Sequence, residues 1–497
     1  MNKILHLIQG QLVDDQQHYQ DVYDPAKGKV IAKVSLASTE TMERAILAAK
    51  MAFPAWRATP VAKRTQVLFK FKQLLEDHSD EICSLLTSEH GKVTSDAAGE
   101  LARGIENVEY ACGAAQLLKG EHSKNVGSGI DSWSEFHPLG VVAGITPFNF
   151  PAMVPLWMYP MAIMCGNTFI LKPSERNPSA ALFIGQLLKE AGLPDGVFNL
   201  VNGDKSAVDY LLQSPTVQAV SFVGSTPVAE YIYAQGAAHG KRVQALGGAK
   251  NHAIIMPDAD LDNTVNAIMG AAYGSCGERC MAISIAVCIT DAVADVIVDK
   301  LTVKVNELRI GSGMEAGQEM GPVITAQQRD RITGLIEEGI VQGAQLVVDG
   351  RKLCIEGHEQ GFFLGGSLFD HVTTEMSIYQ QEIFGPVLCV LRAESLQGAI
   401  DLINHHEYGN GSCIFTRDGE AARYFSEQIE VGMVGVNVPL PVPSAYHSFG
   451  GWKRSLFGDL SAYGPDAVRF YTRRKTITQK WPVSGIALST QFSFEYN

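Results

Sequence analysis

No charged residue occurs between His137 and Lys172. A stretch of that length could cross a bilayer as one helix, so its composition decides what the chain can fold into. It contains Pro138, Pro147, Pro151, Pro155 and Pro160, with Gly140, Gly144 and Gly166. Proline inside a helix removes a hydrogen bond and clashes with the preceding turn. Five prolines exclude a single spanning helix, and the segment reads as a buried strand, a turn and a core helix.

That reading extends in both directions. From 138 to 260 short apolar runs alternate with helical stretches. The predicted strands are Gly140–Ile145, Thr168–Lys172, Val197–Val201, Ala219–Val223 and Ala253–Met256, and the predicted helices lie near 151–165, 178–191, 205–213 and 226–238. Such alternation predicts a parallel sheet covered by helices, an α/β fold. Residues 37–117 read as helical from their amphipathic spacing, and 119–137 as a polar excursion with a strand or hairpin around Ser132–Phe136. A second alternating region spans 264–450, with helices at Asp291–Glu307 and Ala326–Gln342 and a strand at Pro386–Leu391. Residues 465–497 read as extended, and a terminal strand of this kind tends to pair with another subunit, because a free edge is a liability.

Composition narrows the function classes. A chain of 497 residues is long enough for about two or three domains and needs no disulfide or metal staples. Its net charge of -13 leaves no basic footprint for nucleic acid, and any site for an anion must bring its own Arg or Lys. Nine scattered cysteines, an odd number, do not form a secreted disulfide framework and fit a reducing compartment. The N-terminal Met1-Asn2-Lys3-Ile4-Leu5 is too short an apolar run for a signal peptide, so a cytoplasmic protein is expected, with no membrane span.

Five windows carry candidate chemistry. In Gly274-Ser275-Cys276-Gly277-Glu278-Arg279-Cys280, small residues leave the Cys280 sulfur accessible, and Arg279 would lower its pKa. Alone, Cys280 reads more readily as a small core residue, the usual place of a free cysteine. Cys276 and Cys280 lack nearby partners at metal-ligand spacing, so no metal is expected. Thr146-Pro147-Phe148-Asn149-Phe150-Pro151 fixes Asn149 beyond a strand end, where its amide could donate to an oxyanion or simply stabilise a turn. Lys172-Pro173-Ser174-Glu175 could hold a ribose or be a solvated turn, and Gly224-Ser225-Thr226-Pro227 could meet a pyrophosphate at a helix start. Gln381-Glu382-Ile383-Phe384-Gly385-Pro386 could be a plain turn before a strand.

Together, in this order and at these separations, the windows resemble the aldehyde dehydrogenase superfamily over essentially the whole chain. The resemblance implies a Rossmann-type NAD-binding domain (1–118 and 138–247), an α/β catalytic domain (248–464) and a small β oligomerisation element (119–137 and 465–497) that builds a homotetramer. It implies that Cys280 is the nucleophile and that Asn149 and the Cys280 amide form the oxyanion hole. It assigns Phe148, Lys172, Glu175, Gly224, Ser225, Thr226, Glu382 and Phe384 to NAD, with Lys172 and Glu175 at the adenosine ribose and Glu382 at the nicotinamide ribose.

One departure narrows the reaction. Hydrolytic members carry a Glu-Leu-Gly-Gly segment whose Glu activates water. Here the segment is Ala245-Leu246-Gly247-Gly248, and alanine cannot take a proton. A thiol, with a pKa of about 8.5, is a far better nucleophile at neutral pH than unactivated water. The expected acceptor is coenzyme A, unless another group such as Glu278 supplies the base. Gly247-Gly248-Ala249-Lys250-Asn251-His252 and Gly277-Glu278-Arg279-Cys280-Met281-Ala282 resemble the CoA-acylating methylmalonate-semialdehyde dehydrogenase subfamily. Its members turn malonate and methylmalonate semialdehydes into acetyl-CoA and propionyl-CoA, losing the carboxyl group. The resemblance implies that Arg103 and Arg279 bind the substrate carboxylate; a surface ion pair with Glu100 or Glu106 is the other reading of Arg103. A hydrolytic enzyme and an inactive protein on the same fold are the competing expectations.

Overall fold

The computed structural model describes residues 2–482. The first sheet has eight strands. Its centre is parallel, in the order Arg242–Leu246, Val217–Val223, Val141–Ile145, Thr168–Lys172 and Phe198–Leu200. Antiparallel strands close both sides: Leu456–Phe457 on Arg242–Leu246, and His6–Ile8 with Gln11–Val13 beyond Phe198–Leu200. Val141–Ile145 and Thr168–Lys172 are buried at every residue, as expected for strands covered on both faces. The uncharged stretch resolves into these two strands and the twelve-residue helix Met153–Met164, buried along its whole length. No helix among the described residues is long and apolar enough to cross a membrane.

The predicted helices appear at Met153–Met164, Ser179–Glu190, Lys205–Gln213 and Thr226–Ala238. The N-terminal helical region breaks into four: Thr39–Ala58, Val61–Asp77, Ser79–His90 and Thr94–Cys112. Ser38 caps the first by accepting from the Thr41 N–H. Gly91, at φ 93°, ends the third in a left-handed turn.

The second sheet has seven strands, ordered Gln345–Val348, Ser367–Asp370, Val387–Ala393, Ile283–Ile289, Asn251–Ile255, Gly411–Phe415 and Met433–Val436. All neighbours are parallel except the first pair. The excursion forms the hairpin His122–Gly127 and Ile130–Pro138, and Thr472–Lys480 adds a third antiparallel strand to it.

Two expectations need correction. Residues 465–471 are helical, because Gly464 turns the chain at φ 75° and Pro465 opens Pro465–Tyr471. Only Thr472–Lys480 of that region is extended, and 483–497 lie outside the described residues. The strand Arg242–Leu246 was not foreseen, because Arg242 and Gln244 interrupt its apolar run.

Candidate active site

Four loops leave the carboxyl ends of adjacent parallel strands of the first sheet, which is where open α/β sheets bind ligands. Asn149 follows Val141–Ile145; Lys172 ends the strand Thr168–Lys172, and Glu175 follows it. Gly224-Ser225-Thr226 follows Val217–Val223, and Gly247-Gly248 follows Arg242–Leu246.

Lys172 Nζ donates to Glu175 Oε2 at 2.9 Å in a largely buried pair. Burial pushes the Glu175 carboxyl up, but the Lys172 charge and hydrogen bond outweigh it and hold its pKa below the usual value. Ser225 precedes the helix Thr226–Ala238 without capping it through its side chain. Pro227 in that first turn has no N–H and the Val228 N–H donates to the Ser225 carbonyl at 3.1 Å, so the Thr226 N–H is what this turn can offer an anion. Thr226 Oγ1 accepts the Gly248 N–H at 2.8 Å and so ties this helix start to the Gly-Gly turn.

The nucleophile loop has unusual backbone. Ser275, Cys276 and Gly277 take φ of 50°, 53° and 69°, three consecutive left-handed residues. Non-glycine residues hold that conformation only where their surroundings over-determine it. Asp96 supplies part of that constraint: its Oδ2 accepts the Ser275 N–H at 2.9 Å and its Oδ1 accepts from Arg279 at 2.7 Å. Gly277 abuts the Gly385 carbonyl so closely that a Cβ would fall 2.2 Å from it. Beyond the loop, the Cys280 carbonyl accepts from Asn251 Nδ2 at 2.9 Å and Asn410 Nδ2 at 3.0 Å.

Cys280 is partly exposed and lines a small cavity with Ala249, Asn251, Arg279, Glu382 and Phe384. Burial pushes its thiol up to about 12, the Glu382 charge adds to that, and the Cys280 and Met281 N–H groups only partly offset it. Arg279 does lower the thiol's pKa, as expected, but its effect is the smallest of these and burial outweighs it. Arg279 already pairs with Asp96 and donates to the Gly270 carbonyl at 3.2 Å, so its charge is largely matched. Glu382 is itself pushed up to about 7 by burial, against the Ala249 N–H that its Oε1 accepts at 3.0 Å.

Asn149 is buried, and no protein group among the described residues engages its side-chain amide. Its carbonyl accepts from Lys92 Nζ at 2.7 Å. Lys92 also pairs with Glu100 at 2.6 Å in a fully buried ion pair, and Glu100 Oε1 accepts the N–H groups of Ala152 and Met153. Phe148, next to Asn149, meets Phe384 edge-on with centroids 5.8 Å apart, which joins the Asn149 and Glu382 loops.

Arg103 is half-exposed. It pairs with Glu106 at 2.6 Å and donates to the Val442 and Pro443 carbonyls at 3.1 and 2.7 Å. Tyr463 donates to the same Pro443 carbonyl at 2.8 Å. With Trp157 and Phe449 it forms an aromatic cluster in the core against which Cys280 packs. Arg103 and Tyr463 thus meet at the Pro443 carbonyl, and the Arg103 guanidinium is engaged by protein groups.

Neither candidate base stands in the cavity. Ala245 is fully buried in its strand between Phe222 and Phe457. Glu278 is fully buried too; its Oε1 accepts the Ile324 N–H at 3.4 Å and its Oε2 lies 3.8 Å from His90 Nε2. Lys92, Asp96, Glu100, Asn251, Asn410 and Tyr463 went unrecognised in the sequence. Glu100 carried a signal, a carboxylate on the buried stripe formed by Ala97, Leu101, Gly104 and Val108.

Among the described residues no group of His, Cys, Asp and Glu could hold a metal. A model of the aldehyde dehydrogenase family matches residues 12–477. The chain is 67% identical over 494 residues to a malonate-semialdehyde dehydrogenase of Pseudomonas aeruginosa, covering 99% of each. It is 51% identical over 475 residues to malonate-semialdehyde dehydrogenase 2 of Geobacillus kaustophilus, covering 95% of this chain and 98% of the relative. The crystal structure of methylmalonate-semialdehyde dehydrogenase from Oceanimonas doudoroffii superposes with a TM-score of 0.97 at 66% identity, covering 98% of this chain and 99% of that one. A Sinorhizobium meliloti chain solved with NAD, provisionally given the same activity, superposes with a TM-score of 0.97 at 52% identity, covering 98% and 99%. A cysteine held by two asparagine amides, facing a cavity that a Glu-Ile-Phe loop closes, thus stands on a fold and a sequence that agree end to end with these proteins, and the chain belongs to the aldehyde dehydrogenase family.

Proposed function

We propose that this chain oxidises malonate or methylmalonate semialdehyde with NAD and transfers the acyl group from Cys280 to coenzyme A, losing the carboxyl group and yielding acetyl-CoA or propionyl-CoA. The observation that carries this reading is that neither position considered for the general base, 245 or 278, offers one to water at Cys280. Ala245 fills the position of the hydrolytic glutamate, and Glu278 is turned into the interior against His90 and the Ile324 N–H. Unactivated water is then a poor nucleophile, and a thiol takes its place. The names of the Pseudomonas aeruginosa and Oceanimonas doudoroffii proteins support the substrate class.

The residues divide the work. Lys172, Glu175, Gly224, Ser225 and Thr226 hold the adenosine and pyrophosphate half of NAD, and Glu382, Phe384 and Phe148 hold the nicotinamide half. The buried Lys172–Glu175 pair and the uncapped helix start at Ser225 fit that group. Bound there, NAD supplies the hydride acceptor. The Cys280 sulfur attacks the aldehyde carbon. The Asn149 amide and the Cys280 N–H stabilise the oxyanion, where one lost donor costs about 3–4 kcal/mol. Arg103 and Arg279 orient the substrate carboxylate, exchanging their present partners for it. Once Cys280 carries the thioester, the C–C bond to the neighbouring carboxylate breaks, carbon dioxide leaves, and the bonding electrons pass into the thioester carbonyl as an enolate; the α-carbon takes a proton from water, and the coenzyme A thiolate adds to the carbonyl and expels the Cys280 thiolate. We assign the NAD-binding domain to 1–118 and 138–247, the catalytic domain to 248–464, and the oligomerisation element to 119–137 and 465–497. The pairing of Leu456–Phe457 with Arg242–Leu246 carries the end of the catalytic segment onto the first sheet. We infer a cytoplasmic homotetramer. The strand Met433–Val436 supports subunit pairing, because it ends its sheet with Val434 and Val436 exposed.

The test follows NADH and products with malonate semialdehyde, with and without coenzyme A. Acetyl-CoA in step with NADH is expected. Free acid formed at full rate without coenzyme A would establish the hydrolytic reading instead.

A further inference from the structure

The backbone from Gln381 to Phe384 lies in neither helix nor strand, and Phe384 takes a left-handed φ of 55°. Its carbonyls are satisfied by side chains instead, as buried carbonyls require. Lys250 Nζ donates to the Ile378 and Gln381 carbonyls, each at 2.7 Å. Arg331 donates to those of Glu382 and Ile383, each at 2.8 Å. Gln328 donates to those of Ile383 and Phe384 at 3.3 and 2.9 Å. Four successive carbonyls, 381 to 384, therefore each accept from a side chain.

Lys250 differs from the other two donors in where it stands. Its ammonium is buried and, among the described residues, forms no ion pair within 4.0 Å. A charge at that depth is costly and persists only because of the hydrogen bonds it makes. On one side of it, the Ala249 N–H holds Glu382 Oε1 at 3.0 Å, and Gly248 leaves the room that Oε2 occupies, since a Cβ there would fall 2.5 Å away. On the other side, Asn251 holds the Cys280 carbonyl. One more residue on, His252 Nε2 meets the Tyr379 hydroxyl at 3.2 Å, within the helix Ser377–Gln380 that leads to Glu382.

We propose that Lys250 is a positioning residue: by holding the Ile378 and Gln381 carbonyls it fixes the Glu382 carboxylate against the cofactor ribose, in register with the nucleophile that Asn251 holds next door. This rests on the assignment of Glu382 to the nicotinamide ribose made above. Lys250 touches neither substrate nor cofactor; it acts through the loop.

The experiment is a double-mutant cycle on NAD affinity, using Glu382→Gln, Lys250→Met and the combination, with kcat, KM and site-specific alkylation of Cys280 measured in parallel. Each single variant is expected to weaken NAD binding roughly tenfold, with the combination no weaker than the worse single, because both act through one carboxylate. Cys280 alkylation in the free enzyme should stay near the parent rate in Lys250→Met and rise in Glu382→Gln, which removes the charge that, after burial, pushes the thiol up. Lys250→Gln, whose amide can still donate to one carbonyl, should recover part of the affinity. Should Lys250→Met fail to fold, Lys250→Gln enters the cycle in its place on the same criteria. Parent-like NAD affinity in the Lys250 variant while Glu382→Gln loses it, or multiplicative losses in the combination, overturns the positioning role. Parent-like affinity in Glu382→Gln overturns the ribose assignment itself.

Discussion

Asp96 and Glu100 stand one turn apart on the helix Thr94–Cys112, and each holds one half of the site. Residues four apart share a helix face. From that face Asp96 grips the nucleophile loop at Ser275 and Arg279, while Glu100 grips the Asn149 loop at Ala152, Met153 and, through Lys92, Asn149 itself. The spacing of the two loops is thereby set by a rigid element to which neither belongs.

The two carboxylates should fail differently. Glu100→Ala leaves the Lys92 ammonium buried and unpaired, and removing one partner of such a pair destabilises by about 3–5 kcal/mol. An earlier urea transition should report it. Asp96→Ala removes a part-buried pair and leaves no fully buried charge unpaired, so it should cost clearly less stability than Glu100→Ala. Its effect should fall on turnover, because Ser275 and Cys276 lose a restraint on their left-handed backbone. Equal stability losses in the two variants would contradict this division.

The Cys280 thiol is pushed up to about 12, chiefly by burial. In the free enzyme its thiolate fraction at neutral pH is therefore small and rises with pH. Alkylation by iodoacetamide, followed at the Cys280 peptide by mass spectrometry, should accelerate about tenfold per pH unit between 7 and 9. A plateau reached below pH 8 would show that the thiol is activated in the resting enzyme.

Burial pushes Glu278 from 4.5 up to about 8. The folded state favours its protonated form, so the stabilisation is complete below the unfolded value near 4.5 and is lost as pH rises toward 8. The melting temperature of the parent should fall across that window. Glu278→Gln keeps the shape without the proton and should flatten the fall. Parallel profiles for the two proteins would assign the pH dependence to other groups, among them Glu89 and Glu382, which burial also pushes up to about 7.

Lys172 and Glu175 form a buried pair at the proposed adenosine ribose. A carboxylate there repels a 2′-phosphate. Glu175→Gln should therefore improve kcat/KM with NADP relative to NAD, by roughly tenfold for one removed like charge. An unchanged cofactor ratio would move the ribose contact elsewhere.

The backbone of the site was legible in the sequence where burial is continuous. Val141–Ile145 and Thr168–Lys172 are apolar runs because helices cover both faces, and the loops that follow them hold Asn149, Lys172 and Glu175. Arg242–Leu246 was not legible, because Gln244 looks like a surface residue. It is buried, accepting from the Ser221 hydroxyl and donating to the Leu460 carbonyl at 2.8 Å each. The supporting charges were hidden for a related reason. Lys92 reaches the Asn149 carbonyl 57 residues away and Lys250 the Ile378 carbonyl 128 residues away, and such long-range contacts leave no local pattern that separates these lysines from solvated ones.

Both candidate arginines are already engaged, Arg103 with Glu106 and two carbonyls, Arg279, which lines the cavity, with Asp96 and the Gly270 carbonyl. A guanidinium has five N–H donors in a fixed fork, so each can keep some of these bonds and turn the rest to a carboxylate. If they form a carboxylate clamp, Arg103→Ala and Arg279→Ala should each lower kcat/KM for malonate semialdehyde by about ten- to a hundredfold, the loss of a charged hydrogen-bonded contact. Propanal, which lacks the carboxylate, should lose much less. Arg279→Ala should also slow propanal somewhat, because the Asp96 contact to the nucleophile loop loses its partner. Equal losses for both aldehydes would mean that the two arginines only brace the loops, and the preference for a carboxylated substrate would have to come from the cavity around Cys280.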